Sequence, residues 1–203
     1  MRVDSLFTGP LEPTNEAYAV AKLAGITLCQ AYRQQYGRNF IVAIPANIFG
    51  PGDDFSPQDS HVIAALIRKM YEAKSSHALF VELWGTGNPR REFIFADDFA
   101  DACSFVMCEY ESPDPINIGN GSDLSIRELA ELIRKVVGYT GVVQFDAGKP
   151  DGAPQKLLDS SRIFNMGWNP RISLNEGLEK TYAWFLQSST SARFLPPPMI
   201  SKR

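Results

Sequence analysis

Apolar and polar positions alternate along the chain with two different periods, and the switches between them outline the elements. Residues 14–36 (TNEAYAVAKLAGITLCQAYRQQY) read as one long helix, with Thr14 or Asn15 as its cap. Residues 39–46 (NFIVAIPA) are short, apolar and β-branched, which predicts a buried strand. The glycines, prolines and Asp/Asn residues of 47–60 (NIFGPGDDFSPQDS) predict a loop. A second helix is expected over 61–74, a strand at 79–84, a turn at 85–90, a short strand at 92–95 and a helix from Asp97 to about Glu109. PINIG at 115–119 predicts a strand ending on glycine. The clearest helix is 125–137, where Ser125 and Glu128 have capping-box spacing and Ile126, Leu129, Ile133 and Val136 recur at helical intervals. A strand follows at 142–146, and Ser173 and Glu176 repeat the capping signature before an amphipathic helix over 174–187. Residues 188–203 turn Ser-rich and then reach Pro196-Pro197-Pro198, which reads as a mobile tail. Strands alternating with helices imply an α/β fold with crossover connections.

Composition narrows the class. An apolar share of 44% over 203 residues is enough for a buried core and excludes wholesale disorder. A net charge of −3 argues against a nucleic-acid partner. No apolar run approaches the ~18–20 residues of a membrane span, and residues 1–13 hold no apolar stretch of the signal-peptide kind. Cys29, Cys103 and Cys108 lack metal-site spacing and are expected to be reduced thiols in a cytoplasmic protein, buried on helices as small apolar residues. The adjacent acids Asp97 and Asp98 read as N-terminal caps before a helix, and no metal is expected.

The candidate chemistry begins with Tyr18-Ala-Val-Ala-Lys22, which puts a phenol and an ammonium at i and i+4 on one helix face. A free phenol titrates near ~10, and a fixed cation beside one favours its ionised form, as acid/base work at neutral pH requires. A surface Tyr–Lys pair has the same spacing, so context has to decide. Here the helix leads directly into a strand and the segment Pro45-Ala46-Asn47-Ile48. No G-x-G-x-x-G phosphate-binding turn occurs in the chain.

The segments LEPTNEAYAVAKLAG, QQYG, PANIFGPGDDF, DSHVIAAL, WGTGNPRREFIFADD, INIGNG, IRELAELIRKVVGY and KPDGAPQKLLD follow one another in order. In that order they resemble the GDP-L-fucose synthases of the extended short-chain dehydrogenase/reductase family. The resemblance runs from about Ser5 to Gln187. It implies the second half of a Rossmann-like doubly wound sheet interleaved with a small α/β substrate-binding domain. Residues 1–60 would belong to the NADP-binding part, 61–187 mainly to the GDP-sugar domain and 188–203 to a flexible tail.

The activity so implied is epimerisation of GDP-4-keto-6-deoxy-D-mannose at C3 and C5, then reduction at C4 with NADPH. By resemblance Tyr18 is the proton donor at the C4 oxygen, and Lys22 holds the nicotinamide ribose and lowers the tyrosine pKa. Pro45, Ala46, Asn47 and Ile48 lie against the nicotinamide, with Ala46 standing where threonine is common. His61 is the epimerisation acid and also lies near the cofactor; a histidine at a helix start is otherwise a cap. Lys69, Trp84, Arg91 and the Asp151/Lys156 pair resemble substrate contacts, cations suiting a diphosphate. Arg91 is read as sitting at a turn beside Trp84, and Lys69 has the alternative of a solvated helix residue. A homodimer packed through the first helix is implied as well.

The departures from the family pattern concern the upstream part. The family's epimerisation base is a cysteine accompanied by a serine, both upstream of the tyrosine, yet residues 1–17 hold no cysteine and Ser5 has the wrong surroundings. The chain therefore matches the C-terminal part of such an enzyme. On its own it is expected to bind NADPH negligibly, to bind GDP weakly and to be oligomeric or aggregation-prone. Two alternatives stay open: another nucleotide-sugar epimerase or dehydratase, and a non-catalytic GDP-sugar-binding module.

Overall fold

Parallel strands need a crossover of a dozen or more residues, and the alternation of helices and strands supplies one for each parallel pair. The computed structural model describes residues 1–190. Its helices are α1 (Glu16–Tyr36), α2 (Val62–Ser75), α3 (Ala96–Glu109), α4 (Ile126–Val137), α5 (Ser161–Asn165) and α6 (Leu174–Thr190). Its strands are β1 (Ala43–Pro45), β2 (Asn47–Phe49), β3 (Phe80–Trp84), β4 (Arg90–Arg91), β5 (Phe93–Phe95), β6 (Ile116–Ile118), β7 (Leu124–Ser125), β8 (Val142–Asp146) and β9 (Gln155–Lys156). The pairs β1–β6, β2–β5, β3–β8 and β4–β9 are parallel, and β4 pairs antiparallel with β7. The fold is thus α/β with parallel pairing, as the alternation predicts.

Two apolar cores meet at β5. Successive strand residues point to opposite faces, so Phe93 and Phe95 enter one core while Ile94 enters the other. The first core stacks Ile63, Ile67 and Met70 of α2 against Leu129 and Ile133 of α4 and Leu178 and Phe185 of α6. The second packs Ala102 and Val106 of α3 against Ile116 and Ile118 of β6, with Ile163 and Trp168 closing it. Trp168 donates its indole N–H to Asp101 at 2.9 Å, so the polar edge of the ring is satisfied.

Helix α1 is different. None of its residues is buried, and Tyr18, Val20, Leu28, Tyr32 and Tyr36 are exposed along it. Its C-terminal end is tied down by Arg33, which donates to Asn39 and to the Glu111 carbonyl, and by Asn39, which donates to the Tyr110 carbonyl at 3.0 Å. Among the described residues no helix is long and apolar enough to cross a membrane.

Several expectations need correction. The strand expected over 39–46 is confined to Ala43–Pro45 and is half-buried to exposed, because β6 is its one partner among the described residues. The expected loop 47–60 begins with β2, which Asn47–Phe49 form by pairing with β5. Arg90 and Arg91 are strand, not turn, because the backbone of 90–91 is held between β7 and β9. Asn15 occupies the cap position of α1 without a side-chain cap bond. Asp98 lies in the first turn of α3, but its buried carboxylate accepts the backbone N–H groups of Arg171 and Ile172, latching the segment before α6. The cysteines are unpaired, as expected, yet Cys29 and Cys103 are only half-buried and Cys108 is exposed; Cys29 lies on the less exposed face of a helix that buries none of its residues. Helix α6 runs on to Thr190, and residues 191–203 of the expected tail lie outside the described residues.

The capping box of α4 forms as expected. Ser125 Oγ accepts the Glu128 N–H at 3.1 Å, and Glu128 Oε2 accepts the Ser125 N–H at 2.7 Å. That backbone bond first, and the serine hydroxyl second, hold the Glu128 carboxyl below its ordinary range. Ser125→Ala should cost about 1 kcal/mol in chemical denaturation at neutral pH. A depressed folded-state pKa means the carboxylate half of the box is fully present above the unfolded value and is lost as pH falls through the folded one. Ser125 Oγ also donates to Glu128 Oε2 at 2.8 Å, a bond the variant lacks, so the gap between variant and wild type should narrow in acid; a gap that widens there would refute this account of the cap.

Candidate functional site

Four separate stretches of the chain converge on a cleft of about 610 Å³ lined by Tyr18, Pro45–Asp53, His61–Ile63, and Phe93 with Ala96. Tyr18 reaches it from the first turns of α1, with its ring 60% exposed. Lys22, one turn further on, sits with Nζ 5.3 Å from the centre of the Tyr18 ring, as the i, i+4 spacing requires. It backs the phenol and does not line the cleft itself.

The Pro45–Ile48 wall is fixed through its backbone. Ala46 N–H donates to the Ile118 carbonyl at 2.9 Å, and Asn47 donates to the Glu92 carbonyl through both its backbone N–H (3.3 Å) and its side-chain Nδ2 (2.7 Å). Proline at 45 has no N–H to satisfy, so the bend from β1 to β2 leaves no orphan donor there. Ile48 stays exposed on the wall, offering an apolar surface. His61 occupies the cap position of α2 but makes no side-chain cap bond, so its imidazole is exposed at the cleft edge. The loop carrying it is anchored by Phe55, which is buried and packs 4.7 Å from the Phe185 ring and 6.0 Å from Trp184.

Two of the expected substrate contacts lie side by side on the β4–β9 edge. Arg91 and Lys156 are register partners on adjacent parallel strands. Arg91 is half-buried, and its Nη1 donates to the carbonyls of Arg90 (2.8 Å) and Ala153 (2.7 Å). Burial pushes its guanidinium below the ordinary value, with Asp151 nearby opposing the shift; an arginine stays charged at neutral pH all the same. Lys156 is exposed.

Asp151 and Trp84 lie off that strand pair. Both Asp151 carboxylate oxygens are engaged by Thr86, one by its N–H (2.9 Å) and one by its hydroxyl (2.6 Å). The hydroxyl bond first, then the backbone bond, hold this carboxyl below its ordinary range. Asp151 therefore clamps the 147–154 loop onto the 85–89 loop. Trp84 is 70% exposed at the end of β3, and its ring lies 5.6 Å from Lys149 Nζ; Arg91 sits in strand β4 and not at a turn beside it. Lys69, half-buried about two turns past His61 on α2, lines neither the cleft nor this edge.

Thr86, Lys149, Phe55 and Glu92 were not singled out by the sequence. Lys149 lies two residues before Asp151, and Thr86 sits between two glycines. Neither spacing announces a contact that closes across more than sixty residues.

The chain matches the NAD dependent epimerase/dehydratase family over residues 2–119. It is 54% identical over 190 residues to "Probable GDP-L-fucose synthase 1" of Oryza sativa subsp. japonica, covering 94% of this chain and 58% of the relative. It is 50% identical over 202 residues to the GDP-L-fucose synthase of Escherichia coli strain K12, covering 95% of this chain and 63% of that one. A solved GDP-L-fucose synthetase of Naegleria fowleri bound to NADP superposes with a TM-score of 0.88 at 28% identity, covering 95% of this chain and 62% of that chain. The chain thus spans about six tenths of the length of these relatives. By the family match and by relatives at half identity along nearly its whole length, the chain belongs to the NAD dependent epimerase/dehydratase family.

Proposed function

We propose that this chain is the proton-transferring and substrate-binding part of an NADPH-dependent enzyme that converts GDP-4-keto-6-deoxy-D-mannose to GDP-L-fucose by epimerisation at C3 and C5 and reduction at C4. The observation that carries this reading is the convergence of Tyr18, the Pro45–Ile48 wall and His61 on one cleft from three separate segments. The cleft suits the nicotinamide–ribose end of NADPH: an exposed phenol backed by an ammonium stands at its side, and Ile48 offers an apolar wall for a flat ring. Tyr18, Lys22, Pro45–Ile48 and His61 would hold it. When bound, NADPH supplies the hydride.

The rest of the chemistry belongs to this chain. Tyr18 holds the proton delivered to the C4 oxygen, and Lys22 stands beside it to hold the nicotinamide ribose. His61, not bound as a helix cap, is placed to give a proton to a sugar carbon during epimerisation. The β4–β9 edge is a site for the GDP diphosphate, with Arg91 supplying a planar fork and Lys156 a point charge. Trp84 is exposed enough to stack on a base or sugar. Domain roles follow the same division: residues 1–60 to the cofactor part, 61–187 mainly to the sugar nucleotide. Unpaired Cys29, Cys103 and Cys108 support a cytoplasmic setting.

A homodimer through α1 belongs to the same proposal. Leu28, Tyr32 and Tyr36 recur every four residues as one exposed stripe on a helix with no buried residue. Leu28→Glu should therefore shift the chain toward monomer in sedimentation velocity, and an unchanged profile would remove α1 from the interface.

Two further outcomes are expected. In calorimetry the 203-residue chain should bind GDP, and Arg91→Met should weaken it about tenfold or more, the effect of one lost hydrogen bond to a charged group. Unchanged affinity would take Arg91 out of the diphosphate site. With the chain joined to the upstream portion of a full-length relative, Tyr18→Phe should lower NADPH oxidation by ~10²–10⁴-fold while GDP affinity holds. Near-normal turnover would exclude Tyr18 as the proton donor.

A further inference from the structure

Between β4 and β5 lies a carboxylate that neither the cleft nor the basic edge uses. Glu92 is 1% exposed. Its Oε1 accepts the Gly121 N–H at 2.8 Å and its Oε2 accepts the Leu158 N–H at 2.8 Å. No Lys or Arg among the described residues forms an ion pair with it. Burying a charge with hydrogen bonds but no counter-ion is costly, so its retention calls for a physical reason.

The backbone of the same residue gives one. Glu92 N–H donates to the Lys156 carbonyl at 3.2 Å, and the Glu92 carbonyl accepts both donors of Asn47. One residue therefore bonds to the cleft wall at Asn47, to the basic edge at Lys156 and Leu158, and to the turn after β6 at Gly121. That turn is shaped around it: a Cβ on Gly119 would lie 2.3 Å from Glu92 Oε1, so only glycine admits the carboxylate. Gly119 also follows Ile118, whose carbonyl holds Ala46. The Ala46–Asn47 wall is thus suspended between two backbone carbonyls whose separation the Glu92 carboxylate fixes.

We propose that Glu92 is a positioning residue that holds the Asn47 wall of the cleft in register with the Arg91/Lys156 edge. This rests on the proposed division between a reacting cleft and a diphosphate-binding edge. Glu92 touches neither reactant; it acts through Asn47, Gly121 and Leu158. Glu92→Gln replaces one acceptor oxygen by an NH₂ facing a backbone N–H, which removes one bond while keeping size. Gly119→Ala displaces the carboxylate while leaving Glu92 in place. Asp98→Asn is the control, another buried carboxylate that accepts two backbone N–H groups but ties down only the lead-in to α6.

The experiment combines amide hydrogen exchange on the unliganded 203-residue chain with GDP calorimetry. Glu92→Gln and Gly119→Ala should each speed exchange at Asn47 and Ile48 as well as at Gly121 and Leu158, and weaken GDP about tenfold or more. Asp98→Asn should lower thermal stability while leaving exchange at 47–48 and GDP affinity at wild-type values. If Glu92→Gln does not fold, Gly119→Ala carries the same test. Wild-type exchange at Asn47 in the folded variants, or an equal effect of Asp98→Asn, would overturn the proposal. A wild-type chain that fails to bind GDP would defeat the diphosphate reading alone, and the exchange data would still decide whether Glu92 couples the two segments.

Discussion

The three residues of β5 set the architecture. Because Phe93 and Phe95 point into one core and Ile94 into the other, neither core can shift without moving the strand they share. The constraint is tightened from outside. A Cβ on Gly177 of α6 would lie 2.8 Å from the Phe49 ring and 2.9 Å from the Phe95 ring, so the helix can lie this close only as glycine. Phe49 stands edge-on to both Phe93 (6.3 Å) and Phe95 (5.6 Å), a favoured arrangement of aromatic rings. Strand β2, which forms the cleft wall, is thereby held by hydrogen bonds along one side and by ring packing at its end. The wall is rigid because the cores are.

What the sequence made legible follows from where the information lies. Helix α4 was readable to the residue because its cap, its apolar stripe and its terminating Gly138 are all local. The Tyr18–Lys22 pairing was readable for the same reason, since helical spacing alone brings the two together. Strands β7 and β9 were not, because two-residue elements exist only through a partner: Arg90–Arg91 must lie between them. Asn47–Phe49 has the composition of a loop and is strand because Glu92 and β5 supply its bonds. Asp151 was expected as a substrate contact by resemblance; its carboxylate turns toward Thr86, a contact no spacing rule reports.

The same distinction explains the electrostatics of the basic edge. The chain is net acidic, yet Arg91 and Lys156 are register partners on β4 and β9, and Lys149 stands over Trp84 on the loop before β9. Asp151 lies close to them and its charge acts on Arg91. Its two oxygens are engaged by Thr86 of the neighbouring loop, and it forms no ion pair with Lys149 or Lys156. Arg91 uses Nη1 to hold the Ala153 carbonyl of that loop, and its other donors form no hydrogen bond among the described residues. The clamp thus orders the loop while leaving Lys149 and Lys156 without an ion pair to Asp151.

Cleft and edge are joined by consecutive residues. Arg91 lies on the basic edge, Glu92 is sealed between the cores, and Phe93 lines the cleft. An extended chain advances about 3.3 Å per residue, so the separation between the proposed diphosphate site and the cleft wall is set by covalent geometry over three residues. A loop joining the two would let that distance vary. Binding energy gained at a remote group lowers a barrier only if it orients the reacting atoms, and an error of an ångström in that separation would spend it on a misplaced sugar. Placing both functions on one nearly continuous strand, with its middle residue hydrogen-bonded on every side, removes that freedom at its source.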